Sequence, residues 1–176
     1  MGNNGIVVIA TDQLKRKLGN FSSFVKNQSK RSYLIMTMRL SPYLMMNGNA
    51  KEAIQFYEKA LDAKVVFNQT FGEMPENPEF PLPEEAKNLV AHAMLKVGET
   101  DLMFSDTFPG RTSQSGDQVT ICISINDIEK SKRIFETLSQ GGEVKMPLQE
   151  AFFSPAYGIV SDKFGVTFQV YTEGQQ

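Results

Sequence analysis

The sequence predicts an α+β protein built from two βαβββ modules within one domain. The order of an extended segment, an amphipathic helix and further strands occurs twice after residue 38, and each helix opens on an Asn-x-x-Glu pattern, at Asn49 and Asn126. At 176 residues, 41% of them hydrophobic and 22% charged, the chain is long enough for one core. The modules are predicted at residues 39–106 and 117–172, and residues 107–116, rich in hydroxyls and glycine, form the linker between them.

In the first module, an extended run from Leu40 to Met46 leads to Asn49, and Glu52 follows at the spacing of a reciprocal helix cap. Residues 64–71 are β-rich, residues 73–85 form a proline-rich loop, and residues 89–105 form a hairpin that turns at Gly98. The helix between them carries its apolar residues at helical spacing: Ala50, Ala53, Ile54, Tyr57, Ala60 and Leu61. This apolar stripe predicts that the helix packs on a sheet.

The second module repeats the order, and its first strand is the clearest in the chain. Apolar Val119, Ile121, Ile123 and Ile125 alternate there with polar Thr120, Cys122 and Ser124. Asn126 and Glu129 repeat the cap spacing, and a second stripe runs from Ile128 to Leu138. A hairpin then joins residues 157–162 to residues 166–171. The two predicted helices are in register, since Leu61 corresponds to Leu138 when Asn49 is set on Asn126.

Charge separates residues 1–35 from the rest of the chain. They hold six basic residues against Asp12 alone, for a net charge of +5, whereas residues 36–176 hold 12 basic and 19 acidic residues, for −7. We predict that residues 1–35 are a poorly ordered extension in front of a domain at residues 36–176, with Met36 or Met38 as the natural start. The acidic domain argues against nucleic acid as a partner, because phosphate binding needs clustered positive charge.

The chain shows no sign of membrane insertion or of a disulfide framework. No run of about 18 apolar residues occurs, which is the length a spanning helix needs. Cys122 is the single cysteine, so the fold does not depend on an oxidising compartment. We therefore expect a cytoplasmic protein that does not act at a membrane.

The order and spacing of several local motifs resemble one known family over Arg39 to Tyr171. The matching segments are Ser41-Pro42-Tyr43-Leu44, Asn47-Gly48-Asn49-Ala50, Phe56-Tyr57, the hairpin from His92-Ala93 through Gly98 to Ser105-Asp106, and Asp162-Lys163-Phe164-Gly165. They resemble the PhnB-like group of the glyoxalase, bleomycin resistance and dioxygenase (vicinal oxygen chelate) superfamily. The resemblance implies a cupped, eight-stranded mixed sheet with helices on its convex face, a small molecule inside the cup, and a homodimer.

The same resemblance implies four positions for the ligands of a divalent metal ion. They fall at or next to Pro42, near Met103 or Ser105, at or next to Cys122, and at Gln169. Proline has no donor atom and a thioether suits soft ions, so only Cys122 and Gln169 offer a donor. We therefore expect no typical metal site and no cofactor. Some family members bear the name of a demethylubiquinone methyltransferase, but no glycine-rich loop opens a βα unit that would hold S-adenosylmethionine.

The candidate ligand-binding residues lie on the polar sides of predicted strands and in a neighbouring loop. They are Thr120, Cys122, Ser124, Thr167, Gln169, Tyr171, Tyr157 and Phe153. His92 is the single histidine and is predicted on one strand face with Val90, Met94 and Lys96, either as a general acid or base or as a packing residue. Two functions stay open: binding of a small molecule without a typical metal site, or a metal-dependent lyase, isomerase or dioxygenase that uses Gln169, Cys122 and His92.

Overall fold

The computed structural model describes residues 40–75, 78, 81–108, 110–111, 116 and 118–174. These residues belong to one unit, Leu40–Gln176. The predicted extension at residues 1–35 lies outside the described residues, as does part of the predicted linker. None of the described helices is long and apolar enough to cross a membrane.

The described chain forms the two modules in the predicted order. The first module consists of β1 (Tyr43–Met46), α1 (Ala50–Leu61), β2 (Lys64–Thr70), the short 3₁₀ helices η1 (Phe71–Glu73) and η2 (Glu84–Ala86), β3 (Val90–Val97) and β4 (Thr100–Asp106). The second consists of β5 (Ile121–Ile125), α2 (Ile128–Leu138), β6 (Glu143–Ala151), β7 (Ser154–Ser161) and β8 (Thr167–Thr172). The predicted α+β class with its two βαβββ modules is confirmed.

The strands pair within each module. The first sheet has the order β1-β4-β3-β2 and the second has the order β5-β8-β7-β6, so the strands predicted for one cupped sheet are divided between two sheets of four. In each sheet the first strand of the module pairs in parallel with the last, and the other pairs are antiparallel. Both sheets are therefore mixed. β5 begins two residues later than predicted, and Val119, expected on its apolar face, is 80% exposed.

Both helices bury the predicted stripe, except that Ile128 at the start of α2 is 41% exposed, and they are capped differently. The six apolar residues named for the first helix are all buried in α1. Asn49 makes no side-chain cap bond, and the first amide of α1, that of Ala50, donates instead to the carboxylate of Asp106. In α2 the N-cap is Asp127 rather than Asn126, and its Oδ1 accepts from the amide of Lys130. The Asn-x-x-Glu pattern thus located the start of α1 correctly and that of α2 to within one residue, but gave the wrong capping groups.

The ends of β4 and β8 each tie together the elements of their own module, in the same way. Asp106 at the end of β4 is 3% exposed, and its second oxygen accepts from the amide of Val90, where β3 begins. Thr172 occupies the matching position at the end of β8, where it bonds to Ser131 of α2 and exchanges hydrogen bonds with Ser154 at the start of β7. In both modules the last strand is therefore tied to the first turn of the helix and to the start of the third strand.

One core spans both modules. The ring of Tyr57 in α1 packs on Phe104 of β4 and on Phe168 of β8, with ring centroids 5.5 and 5.8 Å away. The other large buried side chains of this core are Leu95, Leu138, Val90, Val160 and Val170. Because Tyr57 contacts both sheets, burial of this one side chain stabilises the packing of the modules on each other.

Polar side chains in the turn between β7 and β8 bond to α1, next to the ring of Tyr57. The buried Asp162 accepts hydrogen bonds from the amides of Phe164 and Val166 with Oδ1, and from the hydroxyl of Tyr57 with Oδ2. The ammonium of Lys163 pairs with Glu52 of α1. The Asp162-Lys163-Phe164-Gly165 motif, one of those that carry the resemblance, therefore connects the second module to the helix of the first.

An irregularity in β3 places one residue differently from the prediction. Val90 was expected to share a face with His92, but it is fully buried under the helix. The register against β2 shifts between Gln69 and Thr70, so that Gln69 lies opposite His92 and Thr70 lies opposite Val90. The alternation that buries Ala93 and Leu95 does not extend across this shift.

Candidate functional site

Each sheet packs one face on the helices and leaves the other face more open. In β8 the side chains of Phe168 and Val170 are buried, while Thr167, Gln169 and Tyr171 between them are partly exposed. Pairing brings the predicted ligand-binding residues of three strands to this side of the second sheet: Cys122 lies opposite Gln169, Ser124 opposite Tyr171, and Tyr157 opposite Tyr171. We call this surface the second-sheet face and define it by Thr120, Cys122, Ser124, Tyr157, Thr167, Gln169 and Tyr171.

A row of hydrogen bonds crosses the second-sheet face. The hydroxyl of Tyr157 donates to Oε1 of Gln169 at 2.7 Å, and Nε2 of Gln169 donates to Oγ1 of Thr120, also at 2.7 Å. All three side chains are partly buried. Their mutual bonds fix the position of the central amide group, so the row is an ordered set of polar groups that still faces outward.

Aromatic side chains border one end of this row. The ring of Phe153 lies edge-on to Tyr157 at 5.1 Å and stacks with Tyr171 at 6.4 Å, and the hydroxyl of Tyr171 donates to the carbonyl of Phe153. Phe152 beside it is fully exposed. Aromatic walls next to fixed polar groups are typical of surfaces that bind small organic molecules.

The remaining predicted residues lie either at exposed positions of strand β5 or in a hydrogen-bonded pair between β7 and β8. Cys122 and Ser124 are exposed along β5 and line a cavity of about 710 Å³ whose other wall is the turn between β3 and β4. Thr167 shares a 2.7 Å hydrogen bond with Ser161, a residue that the sequence analysis did not select. The structure thus brings the predicted residues to one face, with Gln169 at the centre of their hydrogen bonds.

His92 lies on the corresponding open face of the first sheet. Its Nδ1 is 3.1 Å from the hydroxyl of Tyr43, whose ring stacks on the imidazole at 5.7 Å. The ring of Phe67 lies at the same distance on β2. We call this surface the first-sheet face and define it by Tyr43, Met45, Phe67, His92 and Met103. Tyr43 was missed as the partner of His92, because it lies 49 positions earlier in the chain.

The positions implied for a divalent metal ion do not offer a typical ligand set. Pro42 has no side-chain donor, Met103 offers a thioether, and the carbonyl oxygen of Gln169 is already engaged by Tyr157. Within the residues that the structure describes, no three His, Cys, Asp or Glu side chains are grouped so that they could hold a metal ion. The third residue of the alternative site, His92, lies on the first sheet, whereas Cys122 and Gln169 are neighbours in the second.

Comparison with known proteins finds relatives along most of the chain. A family model described as 3-demethylubiquinone-9 3-methyltransferase matches residues 38–171. Protein YjdN of Escherichia coli K12 is 35% identical over 149 residues, covering 79% of this chain and 98% of YjdN. The crystal structure of protein PA1353 from Pseudomonas aeruginosa is 32% identical with a TM-score of 0.70, covering 79% of this chain and all of PA1353. The PhnB protein from Bacillus cereus, at 24% identity and a TM-score of 0.63, shares the fold over 77% of this chain and 99% of its own.

Proposed function

Since the chain belongs to the PhnB-like family of the glyoxalase superfamily, whose model carries the 3-demethylubiquinone methyltransferase description, we propose that it binds a small organic molecule on the second-sheet face. The observation that carries this proposal is the row of hydrogen bonds through Gln169, with aromatic rings beside it. No divalent metal ion of the usual kind takes part in the proposed binding.

The row has hydrogen-bonding capacity left for a ligand. Because the hydroxyl of Thr120 accepts from Gln169, its own hydrogen is free to donate outward. The oxygen of Tyr157 donates to Gln169 and keeps its lone pairs as acceptors. A molecule with one acceptor, one donor and an apolar ring would match both ends of the row and stack against Phe153.

The methyl transfer named in the family description forms no part of this proposal. Binding of S-adenosylmethionine by a βα unit uses a glycine-rich turn between strand and helix. In the first module that turn is Asn47-Gly48-Asn49, with a single glycine, and in the second it is Asn126-Asp127. Neither turn has the repeated glycines that let a backbone approach a nucleotide closely.

Replacing Gln169 by leucine tests the binding proposal. We would first find a ligand by screening aromatic and heteroaromatic metabolites for a rise in melting temperature. For that ligand we expect the Kd of Gln169→Leu to increase about tenfold. Tyr157 and Thr120 lose the amide that orders them, which weakens the binding free energy by about 1 kcal/mol or more. Titration calorimetry measures the change. In Gln55→Leu, a matched change on the exposed side of α1, the Kd stays as in the wild type.

Two results would contradict the proposal. One is a screen in which no compound stabilises the protein. The other is a ligand that binds Gln169→Leu and the wild type equally well, since binding would then lie elsewhere.

The alternative is a metal-dependent lyase, isomerase or dioxygenase, and the adjacency of Cys122 and Gln169 favours it. A thiolate and an amide oxygen on neighbouring strands could start a metal site if Gln169 released Tyr157. Elemental analysis of protein purified without a metal-affinity tag decides between the two functions. Stoichiometric metal that disappears in Cys122→Ser supports the alternative, and its absence removes it.

We also propose that a second copy of the chain covers the first-sheet face, as a homodimer in the cytoplasm. Tyr43, Met45 and Phe67 are between 43% and 51% exposed there, which leaves apolar surface open to water. We expect sedimentation at micromolar concentration to show a dimer, and Phe67→Lys to shift it towards monomer. Met74→Lys, at a similarly exposed loop residue, should leave the dimer intact. A wild-type monomer at every concentration would contradict this proposal.

A further inference from the structure

A second pocket lies at the end of β4 and shares one residue, Met45, with the first-sheet face. It has a volume of about 450 Å³, and its floor and walls are Met45, Phe71, Ala91, Ser105, Asp106, Thr107, Phe108 and Arg111. Phe71 and Phe108 form one wall as an edge-to-face pair with centroids 5.7 Å apart. The pocket is therefore mostly apolar and has one guanidinium at its rim.

Ser105 gives the pocket a polar group with a poor partner. Its side chain is only 6% exposed, yet its hydroxyl donates to the thioether sulfur of Met45 at 3.1 Å. A thioether is a weak acceptor, so a buried hydroxyl gains when an oxygen replaces it. A ligand oxygen placed in the pocket would be such an acceptor.

Arg111 supplies the charge. A backbone bond from its amide to the carbonyl of Phe108 folds this part of the chain against the aromatic wall. Within the described part of the chain, the guanidinium has no ion pair or hydrogen bond. Guanidinium groups bind carboxylate and phosphoryl oxygens through paired, charge-assisted hydrogen bonds.

Asp106 also borders the pocket, but both oxygens of its carboxylate accept hydrogen bonds from backbone amides. Its Oδ1 accepts from the amide of Ala50 at 2.9 Å, at the N-terminus of α1, and its Oδ2 accepts from the amide of Val90 at 2.8 Å. The positive end of the helix dipole and two N–H donors thus compensate this carboxylate. Arg111 is left as the charged group available to a ligand.

We propose that this pocket binds small molecules that combine an apolar ring with a carboxylate or phosphoryl group. The ring would pack on Phe71 and Phe108, the anionic oxygens would meet Arg111, and one of them would accept from Ser105. This site is separate from the one on the second-sheet face and does not depend on it.

Ligand-observed NMR with three probes tests this inference on the full chain. The probes are benzoate, phenylphosphonate and benzamide, of which benzamide keeps the ring and loses the charge. We expect at least one anion to bind the wild type about fivefold or more tightly than benzamide, and Arg111→Gln to remove that preference. Ser105→Ala should weaken anion binding about threefold. Arg133→Gln, at an exposed arginine of α2, is the matched control and keeps the preference.

The remaining outcomes overturn the inference. Equal binding of benzamide and both anions, absence of binding by both, or full anion preference in Arg111→Gln would each show that the pocket does not select anions through this guanidinium. Gln169→Leu should bind the anionic probes as the wild type does, so failure of the second-sheet proposal and failure of this one are distinguishable.

Discussion

Asp106→Ala is expected to lower the free energy of unfolding by about 3 kcal/mol or more. The substitution leaves the amides of Ala50 and Val90 buried without an acceptor, and each such donor costs about 1–3 kcal/mol. It also removes a negative charge from the N-terminus of α1, where the helix dipole favours one. Urea unfolding followed by circular dichroism measures the loss, with the slope checked for unchanged two-state behaviour.

Glu99→Ala is the matched control for this prediction. It also removes a carboxylate, but from the exposed turn that precedes β4. Surface substitutions of this kind usually change stability by about 0.5 kcal/mol or less, so the control should stay close to the wild type. A loss in Asp106→Ala as small as that in Glu99→Ala would show that the end of β4 does not hold the module as described.

Tyr57→Phe is expected to destabilise the protein by about 2 kcal/mol at neutral pH, because the buried carboxylate of Asp162 loses its hydroxyl donor. Burial raises the pKa of Asp162, while hydrogen bonds from Tyr57 and from the amides of Val166, Phe164 and Gly165 oppose that rise. Removing the Tyr57 hydroxyl should therefore raise this pKa further.

The direction of the pH dependence follows from linkage. A carboxyl whose pKa is raised in the folded state contributes stability that is present below its unfolded pKa of about 3.9 and is lost as pH rises through the folded value. Since the pKa of Asp162 is higher still in Tyr57→Phe, this variant loses more on the way to neutral pH. The stability gap between the wild type and Tyr57→Phe should thus widen above about pH 4.

Unfolding titrations from acidic to neutral pH measure this gap. Tyr43→Phe is the matched control, since its hydroxyl contacts His92 at an exposed site, and we expect little change in stability. In the background Asp162→Asn, which has no charge to compensate, the effect of Tyr57→Phe should no longer vary over this pH range. A gap that is constant with pH in the Asp162 protein would exclude the proposed coupling.

The elements could be predicted because their signals are local. Alternation along β5 and the stripe of α1 depend on neighbours a few positions apart, and both were assigned to the correct faces. The connection between Asp106 and Ala50 spans 56 positions and that between Tyr57 and Asp162 spans 105, so no local period contains them. One signal was available: Asp106 continues the apolar face of Leu102 and Phe104 at a spacing of two, which marks a polar group facing the core.

The sequence indicated which strand face carries the candidate residues, but not which of them form hydrogen bonds with each other. Polar residues at alternate positions identified Thr120, Cys122 and Gln169, because strand geometry sends alternate side chains to one side. Which of these residues become neighbours depends on the order of the strands in the sheet, and local sequence patterns do not show that order. The bond from Tyr157 to Gln169 and the contact of Tyr43 with His92 both result from pairing between strands.

In the row through Gln169, each hydrogen bond runs from Tyr157 towards Thr120, and rotation of the Gln169 amide reverses both donors and acceptors. If the amide of Gln169 turns by 180°, its oxygen faces Thr120 and its nitrogen faces Tyr157, and each hydroxyl exchanges the role of donor for that of acceptor. Both arrangements satisfy every member of the row. For the proposed ligand site this predicts that two compounds with exchanged donor and acceptor positions bind with similar affinity, because the row can adopt the arrangement that suits each of them.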